Sequence, residues 1–301
     1  MNAPRRHRVE VNGWIVLDKP VGMTSTHAVS AVRRIFNAKK AGHAGTLDPL
    51  ASGILPLAFG EATKTVPYVV DGEKAYTFTV RWGIETETDD SEGRAVATSD
   101  VRPSVARIEA ALPRFTGAIE QVPPRYSAIK VDGERAYDLA RDGETVELQA
   151  RIVDIHALRL VAHDADTATF EAECGKGTYV RAIARDLGRV LGCLGHVIAL
   201  RRTRVGPFTL DHAVPFADLE AAGAGAIDVL QPVESGLVEL PCVVLNRDAA
   251  TRLRRGQSII LRGRDAPAEG AVYGACSGVV IAVGQVEKGE FVPVRVFNLP
   301  F

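Results

Sequence analysis

Between Tyr76 and Trp82 the chain alternates strictly. Tyr76, Phe78, Val80 and Trp82 are apolar, and Thr77, Thr79 and Arg81 stand between them. A period of two suits a β-strand with one face buried and no helix. Around it, Gly13 to Asp18 predicts a short buried strand and Ile54 to Phe59 an apolar one. Thr26 to Asn37 places Ala28, Val29, Val32, Ile35 and Phe36 on one helical face, with Thr24 or Ser25 as N-cap. Helices are also predicted over Pro103 to Leu112, over Arg135 to Arg141, and over Tyr179 to Val190 with Thr178 as N-cap. Val146 to Leu160 and Thr167 to Cys174 read as antiparallel strands joined around His163 to Asp166, and Val197 to Arg201 as a further strand. Asp218 to Ile227 reads as a loop–helix connector. From about Leu240 the pattern becomes short apolar strands broken by Gly and Pro. Strands and helices do not alternate as βαβ throughout, so the class predicted is α+β with a large, mostly antiparallel sheet. The divisions expected are a mobile tail over residues 1–10, a large domain over 11–238 and a small C-terminal β domain over 239–301.

One loop concentrates chemistry. The stretch Gly42 to Gly53, GHAGTLDPLASG, carries Asp48 between a histidine and a proline. Gly42 and Gly45 let the loop take backbone angles that other residues resist. Pro49 fixes its own φ and pushes Asp48 out of the α region, so the carboxylate can aim at a ligand. The plain alternative is an Asx-type turn, in which Asp48 caps its own backbone.

The chain has 301 residues, enough for a large domain and a small one, and a net charge of −1. A near-neutral protein that binds a polyanion must gather basic residues on one face. Arg201, Arg202 and Arg204 form one basic run, and Arg252, Arg254, Arg255, Arg262 and Arg264 another. Glu85, Glu87, Asp89, Asp90 and Glu92 form an acidic loop without the spacing of a calcium loop. Charge runs of this kind also occur as plain solvated faces. Cys174, Cys193, Cys242 and Cys276 form no C-x-x-C pair and no zinc-type spacing, so buried free thiols in a reducing cytoplasm are expected. The basic N-terminus is followed by no apolar signal region, and no run is long enough for a membrane span.

The Asp48 loop closely resembles the catalytic loop of the bacterial tRNA pseudouridine synthases that modify the T loop, the TruB family. Four further blocks resemble the family in its order: GWIVLDKPVGMTS with Lys19 and Pro20, EKAYTFTVRWGIETETDD with Tyr76, QVPPRYSAIKVDGERAYDLARDG, and the pair CGKGTYVRAIARDLG and GHVIALRRTRVGPF around Tyr179, Arg181 and Leu200. The similarity runs from about Gly13 to about Phe208. Ala44 departs from the pattern, standing where many relatives carry a larger or hydroxylated residue.

The resemblance implies the pseudouridine synthase fold, with the active cleft crossing the sheet, and a PUA-like or related C-terminal RNA-binding domain. It implies isomerisation of the uridine at tRNA position 55 by a stand-alone, guide-free enzyme without metal or cofactor. It implies Asp48 as nucleophile, Arg181 as its ionic partner, and Tyr76 beneath the target base. Tyr179 and Leu200 become pocket walls, and His43 fills the space the extruded base leaves. Lys19 and Lys64 are candidates for phosphate contact or for bracing the cleft. Read alone, each has a plainer role: Tyr76 as core, Arg181 on an ordinary helix, His43 as a satisfied loop histidine, and the lysines in solvent. The partner implied is the tRNA T arm, with no membrane, no obligatory protein partner and a monomeric state. The rivals are a non-catalytic tRNA-folding protein on the same scaffold, a guide-dependent synthase, and a glycosidase. A glycosidase would need a second carboxylate, and no motif supplies one.

Overall fold

A computed structural model describes residues 7–127, 129–131, 134–135, 148–261, 267 and 269–300. Its centre is a ten-stranded sheet. Eight strands follow the order Val214–Pro215, Gly13–Lys19, Ser52–Phe59, Gly195–Val205, Lys74–Trp82, Thr167–Cys174, Arg151–His163, Gly117–Gln121. The short strands Ala41–His43 and Phe208–Thr209 pair at its side. Two pairings are parallel, Gly13–Lys19 with Val214–Pro215 and Ser52–Phe59 with Gly195–Val205; the others are antiparallel. The α+β class and the mostly antiparallel sheet expected from the sequence are therefore observed.

One sheet face carries the main core. Phe78, Val80 and Trp82 from the alternating strand meet Phe170, and the helices Ser25–Ile35, Val105–Ala111 and Val180–Leu191 cover them with Ala28, Val32, Ile108, Ile183 and Leu187. Thr24 caps the first of these helices, its side chain accepting the His27 N–H at 3.1 Å. The other face is covered where Val280, Val283 and Phe297 of the C-terminal region pack on Trp14, Val16, Ala58 and Phe208. Strands Gly13–Lys19 and Ser52–Phe59 are thus buried on both faces, which is why both read as unbroken apolar runs.

The C-terminal region forms its own five-stranded sheet with a separate core of Leu245, Leu253, Ile259, Val272 and Phe291. It also contains a helix, Arg247–Arg254, that the strand-only expectation missed. Asn246 caps it by accepting from Ala249 N–H at 2.8 Å, and Ala250 and Leu253 are its buried side. Thr178 does not cap the helix Val180–Leu191. The cap position is Tyr179, without a side-chain cap, and the Gln121 amide substitutes by accepting from Tyr179 N–H at 2.8 Å and donating to Tyr179 O at 3.1 Å. The long antiparallel strand begins at Arg151 among the described residues. Of the helix expected over 135–141, Arg135 belongs to the short strand Glu134–Arg135, and 136–141 lie outside the described residues. Residues 1–6 of the expected tail lie outside them too.

Candidate active site

Three elements hold the Asp48 loop. Ser25, the first residue of its helix, donates its hydroxyl to Leu47 O at 3.0 Å and accepts from Leu47 N–H at 2.9 Å. Lys19, closing the first strand, is fully buried and donates to Pro20 O and Met23 O at 2.8 Å and toward Pro49 O at 3.5 Å. Arg202 donates from Nε to Ile54 O at 2.8 Å, from Nη1 to Thr46 O at 3.1 Å and from Nη2 to Gly45 O at 3.1 Å. Gly45 sits at φ +93°, as a loop glycine should, but Gly42 does not need its freedom: it lies in the strand Ala41–His43. The turn is closed by Ala51 N–H on Asp48 O at 3.1 Å. Among the described residues the Asp48 carboxylate makes no hydrogen bond to its own loop, so the Asx-turn alternative fails.

The carboxylate faces Arg181, whose Nε lies 3.0 Å from Asp48 Oδ2 in an ion pair without hydrogen-bond alignment. Arg181 does not fork onto one carboxylate. Its Nη1 lies 3.3 Å from Asp90 Oδ2 and donates to Thr88 O at 3.0 Å, and Nη2 donates to Tyr126 O at 2.9 Å. The guanidinium is 5% exposed and Asp90 is buried, while Asp48 keeps 33% of its side chain open. One charge is therefore locked and the other is accessible.

The acidic segment is not a solvated loop. Arg181, Arg185 and Arg189 recur at helical spacing, and each meets it. Arg185 Nη1 lies 3.1 Å from Asp89 Oδ2, and Arg189 holds Glu85 at 2.7 and 2.9 Å. Asp89 adopts φ +62°, and burial pushes its carboxyl up to about 6 against the pull of Arg185. Sequence reasoning missed Asp90, Ser25, Gln121 and Arg202. Asp90 and Arg202 stood inside charge runs that looked ordinary, and Ser25 and Gln121 signal nothing without their distant partners.

Two cavities meet at Asp48. One, of about 280 Å³, is lined by Tyr76, Lys74, Tyr179, Leu200 and Arg202. The other, of about 310 Å³, is lined by His43, Thr24, Asp90, Glu92, Tyr126 and Ser127. Asp48 and Arg181 line both, so the ion pair forms part of the partition. In the first, burial pushes the Tyr76 hydroxyl up to about 12 and brings Lys74 down to about 8. Arg151 lies over the Tyr179 ring, 5.1 Å from its centre. Tyr76 is half-buried and Leu200 buried.

The remaining predicted residues divide. Lys19 braces the loop and is not open to a phosphate. Lys64 lies away from both cavities: it pairs with Glu61 at 2.7 Å, donates to Val296 O at 2.8 Å and sits 5.8 Å from the Phe297 ring centre. The run Arg201–Arg204 is not a free basic stripe. Arg201 grips Asp18 at 2.7 and 2.9 Å, Arg202 is buried, and Arg204 reaches Glu73 at 2.9 Å. Arg262 and Arg264 lie outside the described residues. Three cysteines are buried free thiols as expected, but Cys242 is exposed. Among the described residues no group of three or more His, Cys, Asp or Glu is placed to hold a metal.

Residues 33–180 match the TruB family pseudouridylate synthase N-terminal domain, and 181–238 match the tRNA pseudouridylate synthase B C-terminal domain. The chain belongs to the TruB family. It is 61% identical to the tRNA pseudouridine synthase B of Bradyrhizobium diazoefficiens, over 99% of this chain and 89% of that one. To the protein of the same name from Agrobacterium fabrum it is 55% identical, over 99% of this chain and all of that one. Among solved structures, a chain of a Cbf5–Nop10–Gar1 complex superposes with a TM-score of 0.72 at 26% identity, covering 95% of this chain and 84% of that chain. The family fold is thus the pseudouridine synthase fold, with the small β domain at its C-terminal end.

Proposed function

We propose that the chain isomerises the T-loop uridine at tRNA position 55 to pseudouridine, unaided by guide RNA, with Asp48 as the nucleophile. Conversion of uridine to pseudouridine in tRNA is the activity named for its relatives at 61% and 55% identity. The observation that carries the assignment of Asp48 is its place in the partition: among the described residues it is the one carboxylate paired with Arg181 that lines both cavities. A carboxylate is suited to covalent attack at a sugar or a pyrimidine ring. Tyr76, Tyr179 and Leu200 offer the apolar walls a uracil would pack against. Extruding a base from a folded loop costs a few kcal/mol, and His43, on the far side of Asp48, is suited to fill the gap it leaves. Product and substrate are isomers, so the chemistry calls for no redox agent, and we assign no metal or cofactor. On this reading the enzyme works on its tRNA in the cytoplasm, as a monomer.

The test is incubation of the chelator-dialysed protein with unmodified tRNA transcript, followed by pseudouridine mapping. One pseudouridine at position 55 is expected. A modified uridine elsewhere would overturn the T-loop assignment. Activity that returned only on adding a divalent ion, with tRNA folding controlled, would overturn the metal-free one.

A further inference from the structure

Arg202 lies at the crossing of the site's elements. Its strand runs between Ser52–Phe59 and Lys74–Trp82, and in the register Arg202 stands opposite Gly53 on one side and Tyr76 on the other. Gly53 must be glycine here: it sits at φ +96°, and a Cβ would come within 2.2 Å of Arg202 O. Arg202 is 2% exposed, donates to the carbonyls of Gly45 and Thr46 in the Asp48 loop and of Ile54 in the adjoining strand, and lines the same cavity as Tyr76. Arg181, the other arginine lining the cavities at Asp48, meets two carboxylates, and Arg201, beside Arg202 in the strand, meets Asp18. Among the described residues Arg202 forms no ion pair.

A buried cation without a counter-ion is costly and is tolerated here because carbonyl dipoles point at it. Its field reaches the neighbouring groups. Burial lowers Lys19 and Lys74 to about 8 each, and Arg202 adds to both shifts. The wall of the Tyr76 cavity therefore carries standing positive charge.

Isomerisation needs such a charge. If the Asp48 carboxylate bonds to C1′, the C1′–N1 electron pair departs on the ring. If it bonds to C6, the C5–C6 π pair moves toward O4. In both cases negative charge passes from Asp48 to the pyrimidine. It returns to the carboxylate when C5 has bonded to C1′ in place of N1 and the bond from Asp48 to C1′ or C6 breaks; the proton lost from C5 is matched by the one gained at N1, with no net change of charge. Preorganised positive charge in a low-dielectric site stabilises that transfer without reorganising. We propose that Arg202 is a positioning and electrostatic residue of the reaction: it fixes Asp48 and Tyr76 in register and stabilises the negative charge that isomerisation moves onto the uracil ring. The inference rests on the isomerase reading above.

The experiment compares wild type, Arg202→Met and Arg202→Lys by single-turnover rate at saturating tRNA and by tRNA binding at several salt concentrations, after circular dichroism confirms folding. Removing one preorganised stabiliser of developing charge typically costs about 10²–10³-fold in rate. Arg202→Met is expected to lose about 100-fold in rate, with Kd within about threefold of wild type and an unchanged salt slope. Arg202→Lys keeps the charge but not the fork onto three carbonyls, and is expected to lose about tenfold. Should Arg202→Met not fold, Arg202→Lys decides alone. A folded variant within threefold of the wild-type rate overturns the inference. So does a loss that appears in Kd with a smaller salt slope, which would make Arg202 a phosphate ligand. Absence of pseudouridine from the wild type would instead sink the isomerase reading.

Discussion

Arg181 turns its three nitrogens to different partners: Nε to Asp48 and Nη1 to Asp90 in ion pairs, with Nη1 also donating to Thr88 O and Nη2 to Tyr126 O. Lysine has the charge but cannot span these directions. Arg181→Lys is expected to slow the single-turnover rate by about 100-fold, because a small misplacement of a reacting group is worth that much. An unchanged rate at saturating tRNA would show that Asp48 is oriented by something else. Asp48→Asn is nearly isosteric and a poor nucleophile. It is expected to cost at least about 1000-fold in rate, with an unaltered urea midpoint. Near-normal modification by the folded variant would remove Asp48 from the chemistry. Lys19 offers a test without RNA. Burial lowers it from 10.5 to about 8, so between those values the unfolded chain holds a proton that the native chain has released. Stability then rises with pH. The stability of wild type relative to Lys19→Met should grow by about 2–3 kcal/mol between pH 7.5 and pH 10 in urea titrations. A flat difference would mean that Lys19 stays charged in the fold.

Elements carry the site as much as residues do. Ser25 is both the first residue of its helix and the anchor of Leu47, one position before Asp48. Ser25→Ala leaves a buried N–H and C=O unpaired, which should cost about 1–3 kcal/mol. The isomerisation rate should fall with it, since the loop is then free to shift. Unaltered stability and rate would show that Lys19 and Arg202 suffice to hold the loop. This anchor also marks the limit of what the sequence discloses. The helix from Ser25, the strand Lys74–Trp82 and the strand Thr167–Cys174 were legible, because period and caps are local signals. The Asp48 loop and its Arg181 partner were legible through the family blocks. Arg202 was not, because its loop acceptors lie 148 to 157 positions away and only the register of three strands brings them to it. Nor was the pairing of the acidic segment with the Arg181 helix, where the partners of Arg185 and Arg189 are 96 and 104 positions off. The Gln121 substitute for a Thr178 cap belongs to the same class.

At the scale of the molecule, the C-terminal sheet is joined to the catalytic sheet by a shared core. Phe297, Val280 and Val283 pack with Trp14 and Phe208, and Lys64 and Glu61 bond to Val296 O and Asn298 N–H across the junction. Deleting residues 242–301 would therefore expose large apolar side chains of the catalytic body, and any weakening of tRNA binding would be confounded by unfolding. Surface charge can be changed without that cost. Arg247, Arg255 and Lys288 are exposed and away from the shared core. We expect the C-terminal region to bind tRNA phosphates through such residues. Reversing all three to Glu should weaken tRNA binding and reduce the slope of log K against log salt by roughly 0.7–0.9 for each phosphate that is no longer neutralised. The single-turnover rate at saturating tRNA should hold, since Asp48, Tyr76 and Arg181 lie in the large sheet and its covering helix. Binding measured from low to high salt, on protein with a wild-type urea midpoint, separates the outcomes. Unchanged affinity and slope would make these charges an ordinary solvated face. A fall in the saturated rate would mean that the C-terminal sheet acts on the site through the Trp14–Phe297 packing rather than by holding RNA.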